Sequence, residues 1–418
     1  MSHSSLIQAI DNEVHVEGVP LTRVAAEHGT PSYVYSKAAL VRAYGNFAAA
    51  FSQRDTLVCY AAKANSNLAI LGLFAKLGAG FDIVSAGELM RVIAAGGDPR
   101  KVVFSGVGKR ADEMRTALQH NILCFNVESA AELSRLAEVA ATMGKRAPVS
   151  IRVNPDVDPK THPYIATGLK ENKFGVAFEE ARTLYREASS LASIEIVGID
   201  CHIGSQITDI APFADALEKV LHLVDQLESD GIRLHHIDLG GGIGIRYKDE
   251  EPIAIDRYAA TLMAGLKGRD VQLIFEPGRS LVGNAGLLLT RVEYIKQGGE
   301  KRFAIVDAAM NDLIRPALYD AYHEVVAVAS RGKNTAALYD VVGPVCESGD
   351  FLARGRMLAI APGDLIAVLS AGAYGSVMAS NYNTRPRPAE IMIDGTNAHL
   401  IRVRESVQDL YAHEKLLP

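Results

Sequence analysis

Between Thr56 and Glu276 one pattern repeats eight times: a short apolar run, a loop, then an amphipathic stretch. The runs lie near residues 56–61, 80–84, 102–105, 122–126, 148–153, 195–201, 235–239 and 272–275. Eight short apolar strands alternating with helices predict a (β/α)8 barrel rather than an open sheet. Two of the helices open on the capping-box spacing, Ser85-x-x-Glu88 and Ser129-x-x-Glu132, which supports the register. After Ser280 the period switches to two. Strands are expected over 286–296, 302–307, 324–328, 336–342, 365–369, 390–394 and 398–403, with few helices between them. Residues 11–19 alternate as well and read as an isolated strand that joins this part. The expected architecture is therefore a barrel over 36–280 and a mainly β domain built from 1–35 and 281–418.

One connection is long for a linker. It runs from 154 to 175, holds three prolines and the apolar Tyr164, Ile165 and Phe174, and is expected to be an ordered lid. Composition narrows the partners. With 418 residues, 48% apolar and 22% charged, the chain has the make-up of a globular protein with a large core. A net charge of −6 and no basic run argue against nucleic acid. No apolar run reaches membrane-spanning length, and Met1-Ser-His-Ser-Ser5 lacks the pattern of a signal peptide. Cys59, Cys124, Cys201 and Cys346 are far apart, so neither a zinc cage nor a disulfide scaffold is suggested. The expected compartment is the reducing cytoplasm.

In barrels of this kind the chemistry sits at the C-terminal strand ends. Those ends carry Lys63; Asp82 and Ser85; Ser105; Asn126 and Glu128; Arg152 and Asn154; His202, Gly204 and Ser205; Gly240, Gly241 and Gly242; and Glu276, Gly278 and Arg279. Polar groups at every mouth favour an enzyme. Lys63, flanked by alanines, is placed where a desolvated amine could lose its proton and attack a carbonyl to form a Schiff base. Taken alone, a lysine there is more often a solvated strand end. The glycine triplet after the seventh strand and Gly278-Arg279 after the eighth stand at the usual phosphate position of such barrels. Either could also be a tight turn. A phosphate site and a candidate Schiff-base lysine in one barrel point to pyridoxal 5′-phosphate. Glu276 could then keep the pyridine nitrogen protonated, unless it simply partners Arg279. His202 could lie against the ring, unless it is structural.

The β part adds Arg315 and Tyr319, one turn apart on one face if helical, and Cys346-Glu347 in a Gly-rich turn. A thiol there is commonly inert, although the neighbouring carboxylate makes a proton donor plausible. Tyr374 sits between small residues, while Tyr382 and Arg385-Pro-Arg-Pro388 could equally be surface loop.

Several longer stretches can now be set side by side: YAAKAN at 60–65, FDIVSAGEL at 81–89, HPYIATGLKENKFG at 162–175 and HIGSQ at 202–206. To these are added LGGGIG at 239–244, EPGRS at 276–280, RPALY at 315–319, GPVCES at 343–348 and AGAYGSVMASNYNTRPRPAE at 371–390. Together they resemble the diaminopimelate decarboxylases, a branch of the alanine-racemase-like barrel family of pyridoxal-phosphate enzymes, along almost the whole chain. The barrel stretches alone fit the wider ornithine, arginine and diaminopimelate group; the C-terminal ones narrow it.

The resemblance implies a cofactor carried on Lys63, with Asp82 beside it, His202 stacked on the ring and Glu276 on its nitrogen. It implies a phosphate held by Ser205, by the Gly240–Gly242 turn, by the backbone of Gly278 and Arg279, and by Tyr374. Substrate would be bound by Arg279, Arg315, Tyr319, Glu347 and Tyr374, with Cys346 as protonating acid. It further implies a homodimer in which Cys346 and Glu347 reach the other subunit's site. The reaction implied is loss of CO2 from the D-centre of meso-diaminopimelate to give L-lysine. Arginines suit the carboxylate that stays, because clamping the one that leaves would stabilise the ground state. Rival readings are an ornithine or arginine decarboxylase, disfavoured by Arg279 and Arg315; a racemase; and a non-catalytic cofactor carrier.

Overall fold

The computed structural model describes residues 6–158, 173–329 and 335–418. Most of the expected lid falls on 159–172, outside the described residues. The chain divides into two compact units: one of residues 43–245 and 251–280, the other of residues 1–42, 246–250 and 281–418.

The first unit is a closed barrel of eight parallel strands: β1 Thr56–Ala61, β2 Gly80–Ile83, β3 Val102–Phe104, β4 Cys124–Val127, β5 Ala147–Asn154, β6 Ile194–Asp200, β7 His236–Asp238 and β8 Gln272–Phe275. Each pairs with the next in sequence, and β8 returns to β1 through Leu273–Thr56, Ile274–Leu57 and Phe275–Val58. Alternation along the strands sorts the side chains into layers. Cys59, Val103, Cys124 and Ile274 form a buried apolar cluster. Two residues further along three of those strands come Ser105, Asn126 and Glu276, all buried and hydrogen-bonded to one another. The barrel thus changes from apolar to polar within one step of the pleat. Outside it, Phe47, Phe51 and Tyr258 pack around Phe275, with ring centroids 4.3–6.0 Å from that of Phe275.

Both Ser-x-x-Glu motifs cap helices, in a variant form. Ser85 Oγ and Ser129 Oγ accept the backbone N–H groups of Glu88 and Glu132, each at 3.1 Å. The glutamates reach back one residue beyond the cap, accepting from Val84 N and Glu128 N.

The second unit is mainly β. Its sheet runs in the order Phe351–Leu358, Ala337–Val342, Lys301–Val306, Gly286–Gly298, Ser32–Ser36, Ala389–Asp394 and Asn397–Arg402. Leu365–Val368 also pairs with Gly286–Gly298 and carries Val325–Ala327. Its core includes Val34, Leu287, Leu289, Ala367, Ile391 and Ile393. Two expectations are corrected here. Residues 11–19 are not one isolated strand. Asp11 and Asn12 take positive φ (+50° and +64°) and turn the chain, so that Ile7–Ile10, Glu13–Val16 and Val19–Pro20 make a three-stranded antiparallel sheet. The N-terminal strand inside the main sheet is Ser32–Ser36, which the alternation had not marked. It is buried along its whole length and its tyrosine hydroxyls are satisfied internally, Tyr33 by Asp312 O at 2.5 Å and Tyr35 by Glu390 Oε2 at 2.6 Å.

Candidate active site

Lys63 stands on a single 3-10 turn, Ala62–Ala64, that follows β1. The small residues around it have a packing reason. Ala61 N–H donates to Pro277 O, and a Cβ at Gly278 would lie 3.1 Å from the Cβ atoms of both Ala61 and Ala64. The turn after β8 is therefore pressed onto the turn that carries the lysine. Lys63 Nζ donates to Asp82 Oδ2 at 2.5 Å; Asp82 is wholly buried, and the lysine side chain is 36% exposed. That carboxylate holds the amine in place at the mouth of the barrel. The other carboxylate oxygen, Asp82 Oδ1, is buried and receives no hydrogen bond among the described residues.

Deeper in the barrel lies a group of acids. Glu276 Oε1 accepts from Asn126 Nδ2 at 3.2 Å and from Ser105 Oγ at 3.3 Å. Oxygens of Asp200, Asp238 and Glu276 come within 4.8 Å of one another, all buried. Burial, then the charges of Asp238, Asp82 and Asp200, push the Glu276 carboxyl well above the ordinary range. Asp200 is pushed up to about 7 by burial, although Arg152, 3.9 Å away, opposes this. Burial and the neighbouring acids thus favour the protonated form of Glu276. Asp200 and Asp238 had not been singled out in the sequence. The available signal was an acidic residue ending an otherwise apolar strand, which needs an internal partner.

The glycine turn after β7 does something other than point three N–H groups at an anion. Gly240 N–H donates to Asp238 Oδ1 at 2.8 Å, and Gly241 N–H donates to His202 Nδ1 at 3.1 Å. His202 therefore carries its proton on Nε2, and burial first, then Arg152 and Lys63, hold its pKa well below the usual value. The ring is neutral and its orientation is fixed from the glycine turn. Gly240 has φ +63°, and a Cβ there would stand 2.7 Å from His202 Nδ1. On the next turn, Arg279 donates from Nε and Nη2 to Ser205 Oγ at 3.3 and 3.2 Å.

This donor set fits pyridoxal 5′-phosphate: an amine for its aldehyde, a buried carboxyl for its basic nitrogen, a fixed flat imidazole for its ring, and a hydroxyl with a guanidinium for its phosphate. Lys63, Asp82, His202, Ser205, Gly240, Gly241, Gly242, Glu276, Gly278 and Arg279 all belong to the barrel unit.

The other predicted residues belong to the β unit. Arg315 and Tyr319 begin and end one short helix, Arg315–Tyr319, four residues apart on one face. Cys346 is exposed; its N–H donates to Asn383 Oδ1 at 3.2 Å, and Glu347 Oε1 accepts from Tyr382 Oη at 2.5 Å. Tyr374 takes φ +55°. Arg385 is no loose surface residue: it donates to Asn311 Oδ1 at 3.0 Å and to Asp307 O.

Residues 37–283 match the family model described as pyridoxal-dependent decarboxylase, pyridoxal binding domain. A curated diaminopimelate decarboxylase of Pseudomonas aeruginosa is 60% identical over 408 residues, 98% of this chain and 98% of that protein. The chain belongs to the diaminopimelate decarboxylases. Among solved structures of the family, the Helicobacter pylori enzyme complexed with L-lysine is 46% identical, with TM-score 0.91 over 94% of this chain and 99% of that one. The M. jannaschii diaminopimelate decarboxylase in co-complex with L-lysine has TM-score 0.95 at 39% identity, over 100% and 99%. Family membership makes this chain a pyridoxal-phosphate-dependent carboxy-lyase. Among the described residues no helix is long and apolar enough to cross a membrane.

Proposed function

We propose that the chain removes CO2 from the D-centre of meso-2,6-diaminopimelate to give L-lysine, with Lys63 as the residue that carries the cofactor. The observation that supports the site most directly is the Lys63–Asp82 pair set at the mouth of a barrel whose polar layer holds the buried Glu276, hydrogen-bonded by Ser105 and Asn126. Bound pyridoxal 5′-phosphate supplies the electron sink for the pair left when CO2 departs. The remaining tasks fall to the chain itself. Asp82 holds the Lys63 amine in place. Glu276, buried in the polar layer, would face the ring nitrogen of the bound cofactor and share a proton with it. His202, held by Gly241, fixes the ring plane; Gly240 leaves room for its imidazole, and Gly242 leaves room for the carbonyl of Gly204. Ser205, the backbone of Gly278 and Arg279, and Tyr374 bind the phosphate.

Arg279, Arg315, Tyr319 and Tyr374 hold the substrate, the arginines gripping the carboxylate that is retained, and Glu347 takes an amino group. Cys346 delivers the proton that replaces CO2. By the resemblance to the family, Cys346 and Glu347 act in the site of a second copy of the chain, hence a working homodimer, and the Cys346 thiol is exposed. The four free cysteines accord with a reducing cytoplasm. The test is CO2 release from meso-, LL- and DD-diaminopimelate, with ornithine and arginine as competitors. Turnover of the meso isomer alone is the expected result; turnover of ornithine in its place would refute the assignment.

A further inference from the structure

Arg315 sits in a socket that the catalytic reading does not require. The arginine is 7% exposed and its Nη1 lies 3.0 Å from Nε2 of His323, which is completely buried. On the far side of that ring, Nδ1 lies 2.8 Å from Leu369 O. A carbonyl can only accept and a guanidinium can only donate. Both bonds form only if the proton is on Nδ1 and the lone pair on Nε2, so this histidine is neutral and confined to one tautomer. The face of the guanidinium is covered by Tyr247, with its Cζ 4.7 Å from the ring centroid, and Tyr247 meets the imidazole edge-on at 5.4 Å. The histidine is itself anchored, since Arg356 Nη2 donates to His323 O at 3.0 Å.

The chemistry of the acceptor matters here. A carboxylate in the place of His323 would hold the guanidinium equally well but would cancel its charge. An imidazole fixes one N–H of the five and leaves the cation's charge undiminished by that bond, while the tyrosine face adds a cation–π contact. We propose that His323 and Tyr247 are positioning residues that pre-orient Arg315 for a carboxylate of the substrate without neutralising it. This rests on the assignment of Arg315 to substrate binding made above. The retained carboxylate is bound alike before and during reaction, so loosening its partner raises KM and leaves kcat nearly unchanged.

The experiment compares His323→Phe, His323→Gln and Arg315→Gln in the cofactor-loaded enzyme. It measures KM and kcat for meso-diaminopimelate, and Kd for L-lysine from the cofactor absorbance. His323→Phe should raise KM and the lysine Kd about tenfold or more, the effect of losing one charge-assisted hydrogen bond, with kcat within about threefold. His323→Gln, whose Oε1 can accept the same N–H, should restore most of the loss. Equal defects in the Phe and Gln variants would mean that only packing is at stake and would overturn the proposal. So would an unchanged KM in His323→Phe when Arg315→Gln has raised it. An unchanged KM in Arg315→Gln would instead remove the substrate role of Arg315, and the socket's role with it. Should His323→Phe fail to fold, Tyr247→Leu against Tyr247→Phe decides: a raised KM in the first alone supports positioning, and equal values in both oppose it.

Discussion

Gly240 is a residue at which a single added carbon does harm on two counts. Its φ of +63° is a left-handed conformation that costs an L side chain about 1–2 kcal/mol, and its Cβ would press on the imidazole of His202. Gly240→Ala should therefore fold with a lowered Tm and bind pyridoxal 5′-phosphate more weakly, as a cofactor titration would register. A second prediction at this scale concerns Cys346. If it donates the proton, Cys346→Ala should lower kcat by about 10²–10⁴-fold, leaving the cofactor spectrum intact. An unchanged kcat in stopped-flow or steady-state assays would remove it from the mechanism. The glycine triplet shows how a residue can be conspicuous in sequence while its local task is not. Small residues there suggested N–H groups turned toward an anion, yet two of the three are turned toward Asp238 and His202. That difference depends on side chains contributed by two other strand ends, which no local pattern encodes.

Elements of the barrel were legible because period and length agree: strands of three to eight residues, closed by helices with recognisable caps. All eight appear within two residues of where the pattern put them. In the β unit the pattern was weaker at two strands. Ser32–Ser36 mixes hydroxyls into a fully buried run, and Phe351–Leu358 is an edge strand carrying Arg354, Arg356 and a Gly355 at φ +63°. Alternation fails where both faces are covered, or where one edge is open and charged. The strand ends named Asn126, and the capping box named Glu132, but neither could name the cation that these two hold. Lys109 Nζ is buried and donates to Gly106 O, Asn126 O and Glu132 Oε1 at 2.7–2.8 Å, tying together the ends of β3 and β4 and the helix Ala130–Thr142. Glu132→Ala leaves that ammonium unpaired and should destabilise the barrel by about 3–5 kcal/mol in urea unfolding. The double variant Glu132→Leu with Lys109→Met should lose less than the two single changes added together.

At the scale of the whole chain, pH acts through buried acids. Asp312 accepts from Ala309 N at 2.9 Å, and burial raises its pKa from 3.8 to about 7 against the pull of that N–H and of Arg385. Between about pH 4 and pH 7 the folded chain then binds one proton more than the unfolded chain. Stability falls as pH rises through that window, with a slope of up to about 1.4 kcal/mol per pH unit, and the contribution is flat above it. Asp312→Asn should remove this part of the slope when urea midpoints are compared from pH 4 to 8. The layered barrel has its own outcome for traffic. Because Cys59, Val103, Cys124 and Ile274 plug the barrel beneath its polar layer with weakly polar side chains, that layer is served from the C-terminal ends of the strands rather than through the floor.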